Sequence, residues 1–265
     1  MALKKDGDGR RWVEMEFPVP GTPEQVWQAI ATGPGMTAWF THTAVDEKVG
    51  GAVEFDFGDG SASTGIVTCW QPPERFCYEE HGWSGDAPPV ATEVVVISRT
   101  GDRCVVRMVH SLFTDRDDWD DELESFESGW PGFFEVLRIY LTDFSGQPAA
   151  SMQAMVTRTE DISQAWSTLT TALGLASRDV GDRCRTTGDA PRWSGVVARV
   201  HQDVRSRELM LRLDEPCPGV SVIGACGSDE TARVMVSNYF YGPAASATAV
   251  AQQAAWTDWL RAFAT

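Results

Sequence analysis

The sequence predicts an α+β chain of two tandem units, each a curved antiparallel sheet wrapped on a long C-terminal helix. Three observations carry this. Runs of alternating polarity, punctuated by turn residues, fill residues 42–113 and again 192–240. Each series is preceded by a strand and a capped amphipathic helix, and closed by a longer helical segment. The charge also divides the chain. Residues 1–147 hold 26 acidic and 11 basic residues, a net of −15, whereas residues 148–265 hold 12 and 11, a net of −1, and every Lys lies at or before Lys48. The boundaries expected are 1–147 and 148–265.

In the first unit, RRWVEMEFP (10–18) reads as a strand with Trp12, Met15 and Phe17 as its apolar residues. In PGTPEQVWQAI, Thr22 is placed to cap a helix, Pro23 suits its first turn, and Gln25 stands three residues after the cap. Val26, Trp27 and Ile30 give that helix an apolar face, and Gly33-Pro34-Gly35 is expected to stop it. MTAWF (36–40) reads as a short second helix. AVDEKV and AVEFDF, joined at Gly50-Gly51, form a hairpin with Val53, Phe55 and Phe57 on one face. Asp59-Gly60 makes the next turn, and STGIVTCWQ, PERFCYEEHGW, TEVVVISRT and RCVVRMVHSLF complete an antiparallel meander. Residues 117–144 form a long helix with Trp130, Phe133, Phe134, Leu137 and Tyr140–Leu141 on its inner stripe, and Gly129 with Pro131-Gly132 suggests a break or kink at its middle.

SGQPAAS (145–151) reads as a linker, after which the element order begins again. MQAMVTRT is a strand. EDISQAWSTLTTAL is a helix with Ile162, Trp166, Leu169 and Leu173 on one face. RWSGVVARV, ELMLRLDEP, GVSVIGACG and TARVMVSNYF are strands, and 244–264 is the closing helix.

Composition excludes several classes. With 43% hydrophobic and 23% charged residues the chain is globular. No apolar run approaches the roughly 18 residues of a membrane span, and MALKKDGDGRRW lacks the apolar core of a secretory signal. The expected location is therefore cytoplasmic. A net charge of −16 argues against nucleic acid and against anionic membranes as partners. The six cysteines form no C-x-x-C pair and no zinc-finger spacing, so reduced thiols are expected, with no metal and no cofactor.

Five separated motifs carry a family resemblance: FPVPGTPEQVWQAI, MTAWF, VGGAVEF, QPPERF and GWPGFFEVL. Together, over residues 10–144, they resemble the activator-of-heat-shock-protein-90-ATPase homologues of the START/polyketide-cyclase (SRPBCC) superfamily. Residues 150–265 look like a diverged second copy. The resemblance implies two helix-grip (START-like) domains, the first with a cavity between sheet and long helix. The superfamily includes lipid carriers, cyclases and resistance proteins, so it implies a scaffold more than an activity.

The candidate site is that first cavity. Its expected lining is Trp39, Phe40, Phe55, Phe57, Trp70, Tyr78, His110, Phe113, Trp130, Phe133, Phe134 and Leu137, aromatic walls with a few polar groups, as in ligand pockets. The plain alternative is that these rings fill a closed core. Proton transfer would need His81 or His110 with Tyr78 and Glu80. In FCYEEHGW, alternation places Tyr78 and Glu80 on one face and His81 on the other, so His81 does not share their site. The run DRDDWDDELESFE (115–127) carries eight acidic residues but lacks the calcium-loop glycine, and reads as a solvated helix start with Trp119 packed over the cavity mouth. No nucleophile motif is present, and no catalytic residue is expected. The first reading is non-enzymatic binding of an apolar small molecule. The alternatives are a cyclase or aromatase, and a chaperone-interacting module. Oligomeric state is not legible.

Overall fold

A computed structural model describes residues 3–58, 62–83, 87–114, 119–227 and 230–264, without the side chains of 122 and 124–128. The turn expected at Asp59-Gly60 and the start of the acidic run lie outside the described residues. The chain divides into two compact units, Met1–Ser145 and Gly146–Thr265.

The first unit begins with β1 (Lys4–Lys5) and β2 (Arg10–Pro20). Val13, Met15 and Val19 are the buried apolar residues of β2, with Arg11 buried on the same parity, so Trp12 faces the other side, beneath the Arg10 guanidinium at 4.9 Å. The aromatic content of RRWVEMEF concealed which parity was buried.

Helix α1 (Pro23–Ala31) starts with a full capping box: Thr22 accepts from the Gln25 N–H while the Gln25 side chain accepts from the Thr22 N–H. α1 ends at Ala31, just before Gly33-Pro34-Gly35 as expected, but these three residues also open a second helix, α2 (Gly33–Thr37), capped by Thr32. Residues 36–40 hold only its end and a turn. Pro34 suits a first turn, and Gly35 is required for contact: a Cβ there would lie 1.8 Å from the Gln28 carbonyl oxygen. Gly35 thus serves close packing of α2 on α1, while a Cβ on Gly33 would come within 2.8 Å of the Thr43 carbonyl oxygen.

The sheet continues with β3 (His42–Val45), β4 (Ala52–Asp56), β5 (Ala62–Gln71), β6 (Arg75–His81), β7 (Val90–Arg99) and β8 (Arg103–Phe113). Gly50 sits at φ +80° in the β3–β4 connection, as a tight turn there requires. The eight strands lie in the order β1-β2-β8-β7-β6-β5-β4-β3, so the first long strand pairs with the last. The long helix α3 (Asp120–Ile139) crosses the inner face and ends in a π-helical turn, Tyr140–Phe144. It runs as one helix through Gly129, Pro131 and Gly132, without the break that was one of the two expectations there. The Phe134 ring stacks on Phe17 of β2 at 3.7 Å, anchoring the helix to the sheet.

On the outer face, Lys4, Glu14, Arg107, Glu93 and Arg75 form a ladder of ion pairs across β1, β2, β8, β7 and β6. Hydrogen bonds from Lys4 and then Arg107 hold the Glu14 carboxyl down at about 2.

The second unit repeats the plan with β9 (Ala149–Arg158), α4 (Ile162–Leu173), β10 (Arg183–Arg185), β11 (Ser194–Gln202), β12 (Ser206–Glu215), β13 (Gly219–Gly227), β14 (Ala232–Tyr241) and α5 (Ala245–Phe263). Its sheet order is β10-β11-β12-β13-β14-β9, again with first long strand beside last. Asp161 caps α4, and Gly174 at φ +71° ends it. The core joins Leu169 and Leu173 of α4 to Val197, Leu211, Ile223 and Val236 of the sheet. Trp193 packs against Trp256 of α5, ring centroids 4.4 Å apart. Both units are thus α+β helix-grip folds, an antiparallel sheet with a long C-terminal helix.

All six cysteines are free: Cys104, Cys184 and Cys217 are buried, and Cys69, Cys77 and Cys226 are half-buried. Among the described residues no helix is long and apolar enough to cross a membrane.

Candidate functional site

Between the inner sheet face and α3 of the first unit lies a cavity of about 230 Å³. Strand register builds one wall. Val67, Tyr78, Thr92, His110 and Val13 stand side by side across β5, β6, β7, β8 and β2, and neighbours in register share a face. The next row places Gly65 against Glu80. A Cβ on Gly65 would come within 2.6 Å of the Glu79 carbonyl oxygen and 3.2 Å of the Glu80 Cγ, so the glycine lets Glu80 lie flat over its strand. Phe55 and Phe57 come from β4 and its end, Phe40 from the segment after α2, and Gly129, Trp130 and Phe133 from α3.

Seven of the twelve residues expected to line this space do so: Phe40, Phe55, Phe57, Tyr78, His110, Trp130 and Phe133. The other five lie elsewhere. Trp39, Phe134 and Leu137 are fully buried behind the wall, where Trp39 donates its indole N–H to the Ala29 carbonyl at 2.9 Å. Trp70 is taken up by the core, edge-on to Trp27 of α1 at 5.0 Å and to Phe76 at 5.4 Å. Phe113 is 63% exposed: His110 and Leu112 point inward, and strand alternation turns residue 113 outward. Two lining residues were absent from the expected set, Glu80 and Gly129. The alternation of FCYEEH already placed Glu80 beside Tyr78, and Gly129 precedes Phe133 by four residues on one helix face. His81 points away and pairs with Glu79 at 3.0 Å. Trp119 packs edge-on against Trp83 at 6.0 Å.

Phe40 is the hub of the aromatic wall, with ring centroids 4.9 Å from both Trp130 and Phe133 and 5.8 Å from Phe55. Phe55 in turn meets Tyr78 at 5.6 Å. These are the offset and edge-on contacts that aromatic quadrupoles favour.

A polar chain runs through the enclosed end. The Trp130 indole N–H donates to His110 Nε2 at 2.7 Å, and His110 Nδ1 lies 2.9 Å from the Thr92 hydroxyl. Indole is only a donor, so Nε2 carries no proton. Nδ1 therefore holds it and donates to Thr92 Oγ1. Burial pulls the His110 pKa down to about 3, so the ring is neutral at neutral pH. Both its nitrogens are engaged within the protein, which leaves no free lone pair to accept a substrate proton. Burial, followed by the nearby Glu80 carboxyl, pushes the Tyr78 phenol up. Burial also raises the Glu80 carboxyl, opposed by the hydrogen bond it accepts from Ser63. Among the described residues no group of three or more His, Cys, Asp or Glu is gathered as a metal site.

Comparison with known proteins gives a family resemblance for this unit. Residues 20–142 match the model described as activator of Hsp90 ATPase homolog 1-like protein. No curated protein matches the chain in sequence. Similar solved structures include DynU16, a putative protein in the dynemicin biosynthetic locus, at 18% identity, covering 94% of this chain and 94% of that chain with a TM-score of 0.44. The di-domain ARO/CYC BexL from the BE-7585A biosynthetic pathway is 10% identical, covering 96% and 92% with a TM-score of 0.47. The Aha1 dimer from Colwellia psychrerythraea is 21% identical over 49% of this chain and 95% of that chain, with a TM-score of 0.41. Residues 20–142, which make up most of the first unit, are thus similar to the activator of Hsp90 ATPase homolog 1-like family.

Proposed function

We propose that the first unit binds and sequesters a small apolar molecule in the cavity between its sheet and α3, without transforming it. The observation that carries this is a cavity walled by six aromatic side chains, whose histidine is kept neutral by burial and engaged at both nitrogens by its own neighbours. Pocket size bounds the ligand. A dry cavity of about 150 Å³ accepts benzene, so 230 Å³ suits one or two fused rings rather than a long lipid.

The test uses indole as a neutral bicyclic probe. Binding to the native state alone stabilises by RT ln(1 + [L]/Kd), about 2.7 kcal/mol at a hundred times Kd, and raises the melting temperature of this unit by several degrees. Gly129→Trp is the control. A Cβ at residue 129 meets nothing within 4 Å, so the fold accepts a side chain there while the indole plugs the cavity. Indole is expected to stabilise the wild type and leave Gly129→Trp unmoved. Equal response of the two proteins, or none in either, refutes the proposal.

One observation favours a second reading, a polyketide cyclase or aromatase-like enzyme: Glu80 and Tyr78 share the cavity. With His110 engaged at both nitrogens, proton transfer would fall to Glu80, and turnover would vanish in Glu80→Gln. A chaperone-interacting role, by analogy with the family description, would call for an apolar patch on the outer sheet face. The ion-pair ladder occupies that face from β1 to β6, and exposed Ile66 on β5 is not part of it.

A further inference from the structure

We propose that the ligand of this cavity carries a positive charge, an ammonium group on a small hydrocarbon body, seated between the aromatic rings and the Glu80 carboxylate. The inference rests on the binding reading above and deepens it. Glu80 is the one carboxyl among the lining residues, and it is not among the ion-paired acids of the described residues. It accepts one hydrogen bond, from Ser63. A carboxylate has about four acceptor sites, so most of its capacity faces the cavity. Glu80 is half-buried, an ionised carboxylate withdrawn from water is costly without a charge partner, and no Lys or Arg lines the cavity to supply one.

The surrounding rings suit a cation. Aromatic faces are negative, and a cation within about 6 Å of a ring centroid is attracted by the quadrupole, most strongly once desolvated. Phe40, Phe55, Trp130 and Phe133 enclose the space with centroids 4.9 to 5.8 Å apart along their contacts. Rings plus one carboxylate form the chemistry that selects ammonium over a neutral group of the same shape. The field of the whole unit acts in the same sense. An excess of 26 acidic over 11 basic residues in 1–147 concentrates cations near its surface.

The experiment compares benzyltrimethylammonium with neopentylbenzene, which has the same shape and no charge, by titration calorimetry on the full chain. Wild type and Glu80→Gln are used, with Gly129→Trp as the blocked control. Benzyltrimethylammonium cannot donate a hydrogen bond, so its preference reports charge alone. The expected result is that the wild type binds the cation at least tenfold more tightly than the neutral probe. Glu80→Gln should lose at least tenfold for the cation while keeping its affinity for neopentylbenzene. If neopentylbenzene binds the wild type as well as the cation does, and Glu80→Gln changes neither, the cation proposal is overturned while the apolar-cavity reading stands. If neither probe binds the wild type, or both bind Gly129→Trp equally, both readings fall.

Discussion

Acidification tests the locked state of His110 directly. In the folded protein its pKa is down at about 3, against an ordinary 6.5. Between these values the unfolded chain holds a proton on this ring that the native state does not. Stability therefore falls as pH drops below 6.5, and stops falling through this group once pH passes below about 3. One unit of pH in that window is worth about 1.4 kcal/mol, so lowering the pH from 7 to 4.5 removes about 2.7 kcal/mol through His110 alone. Other groups titrate in the same range. Burial raises Glu80, so acid relieves a cost there, and ion pairs hold Glu14 down, so acid weakens it. Comparison with His110→Gln cancels these, since the amide cannot titrate. The stability difference between wild type and His110→Gln, from urea unfolding followed by the first unit's fluorescence, should shift by about 2 to 3 kcal/mol in the variant's favour on going from pH 7 to pH 4.5. The His110 ring protons should show no titration by NMR above pH 4.5. Parallel stability curves, or an imidazole that titrates near 6.5, would refute the tautomer and the closed network built on it.

Gly35→Ala should destabilise the first unit by the upper part of the roughly 1–3 kcal/mol that overpacking costs, because its Cβ would meet the Gln28 carbonyl oxygen at 1.8 Å; thermal unfolding reads this. Asp161→Ala should cost about 1 kcal/mol in the second unit by leaving the Gln164 N–H uncapped, with faster amide exchange confined to the first turn of α4. Glu93→Gln removes the carboxylate shared by Arg107 and Arg75 in the outer-face ladder, yet should cost no more than about 1 kcal/mol, and less at high salt, because its partners are partly exposed.

The sequence pattern carried the strands more faithfully than the helices near them. Residues 219–227 were readable to the residue because Gly219 and Gly227 bound a continuous apolar run. Gly33-Pro34-Gly35 marked the end of α1 but not the start of α2, because the same residues that end helices also allow two helices to touch, and that contact is tertiary. The three residues of β10 lie in a polar stretch with no alternation to reveal them. For the cavity, period-two alternation placed Tyr78 with Glu80, and the helical repeat placed Trp130 with Phe133. Parity also would have excluded Phe113, had the inward facing of His110 been known. What alternation does not encode is which inward rings leave space between them. Trp70 and Phe55 follow the same pattern, yet Trp70 is met by Trp27 of α1 and Phe55 faces the cavity.

That space persists for a physical reason. Side chains in a well-packed interior close small voids, because each void forfeits contact energy. Here the inward move of α3 is resisted by directional bonds. Trp130 is held to His110 at 2.7 Å with the two rings stacked, and His110 is held to Thr92 of the neighbouring strand. Sliding the helix to fill the cavity would strand a buried indole N–H and a buried imidazole, each costing roughly 1–3 kcal/mol. On the other side Phe134 is stacked on Phe17, which fixes the same helix one turn further along. The helix is thus pinned at two successive turns, one by hydrogen bonds and one by ring stacking, with Phe133 between them facing the space. A ligand entering such a site meets walls already ordered, so little of its binding energy goes to arranging them.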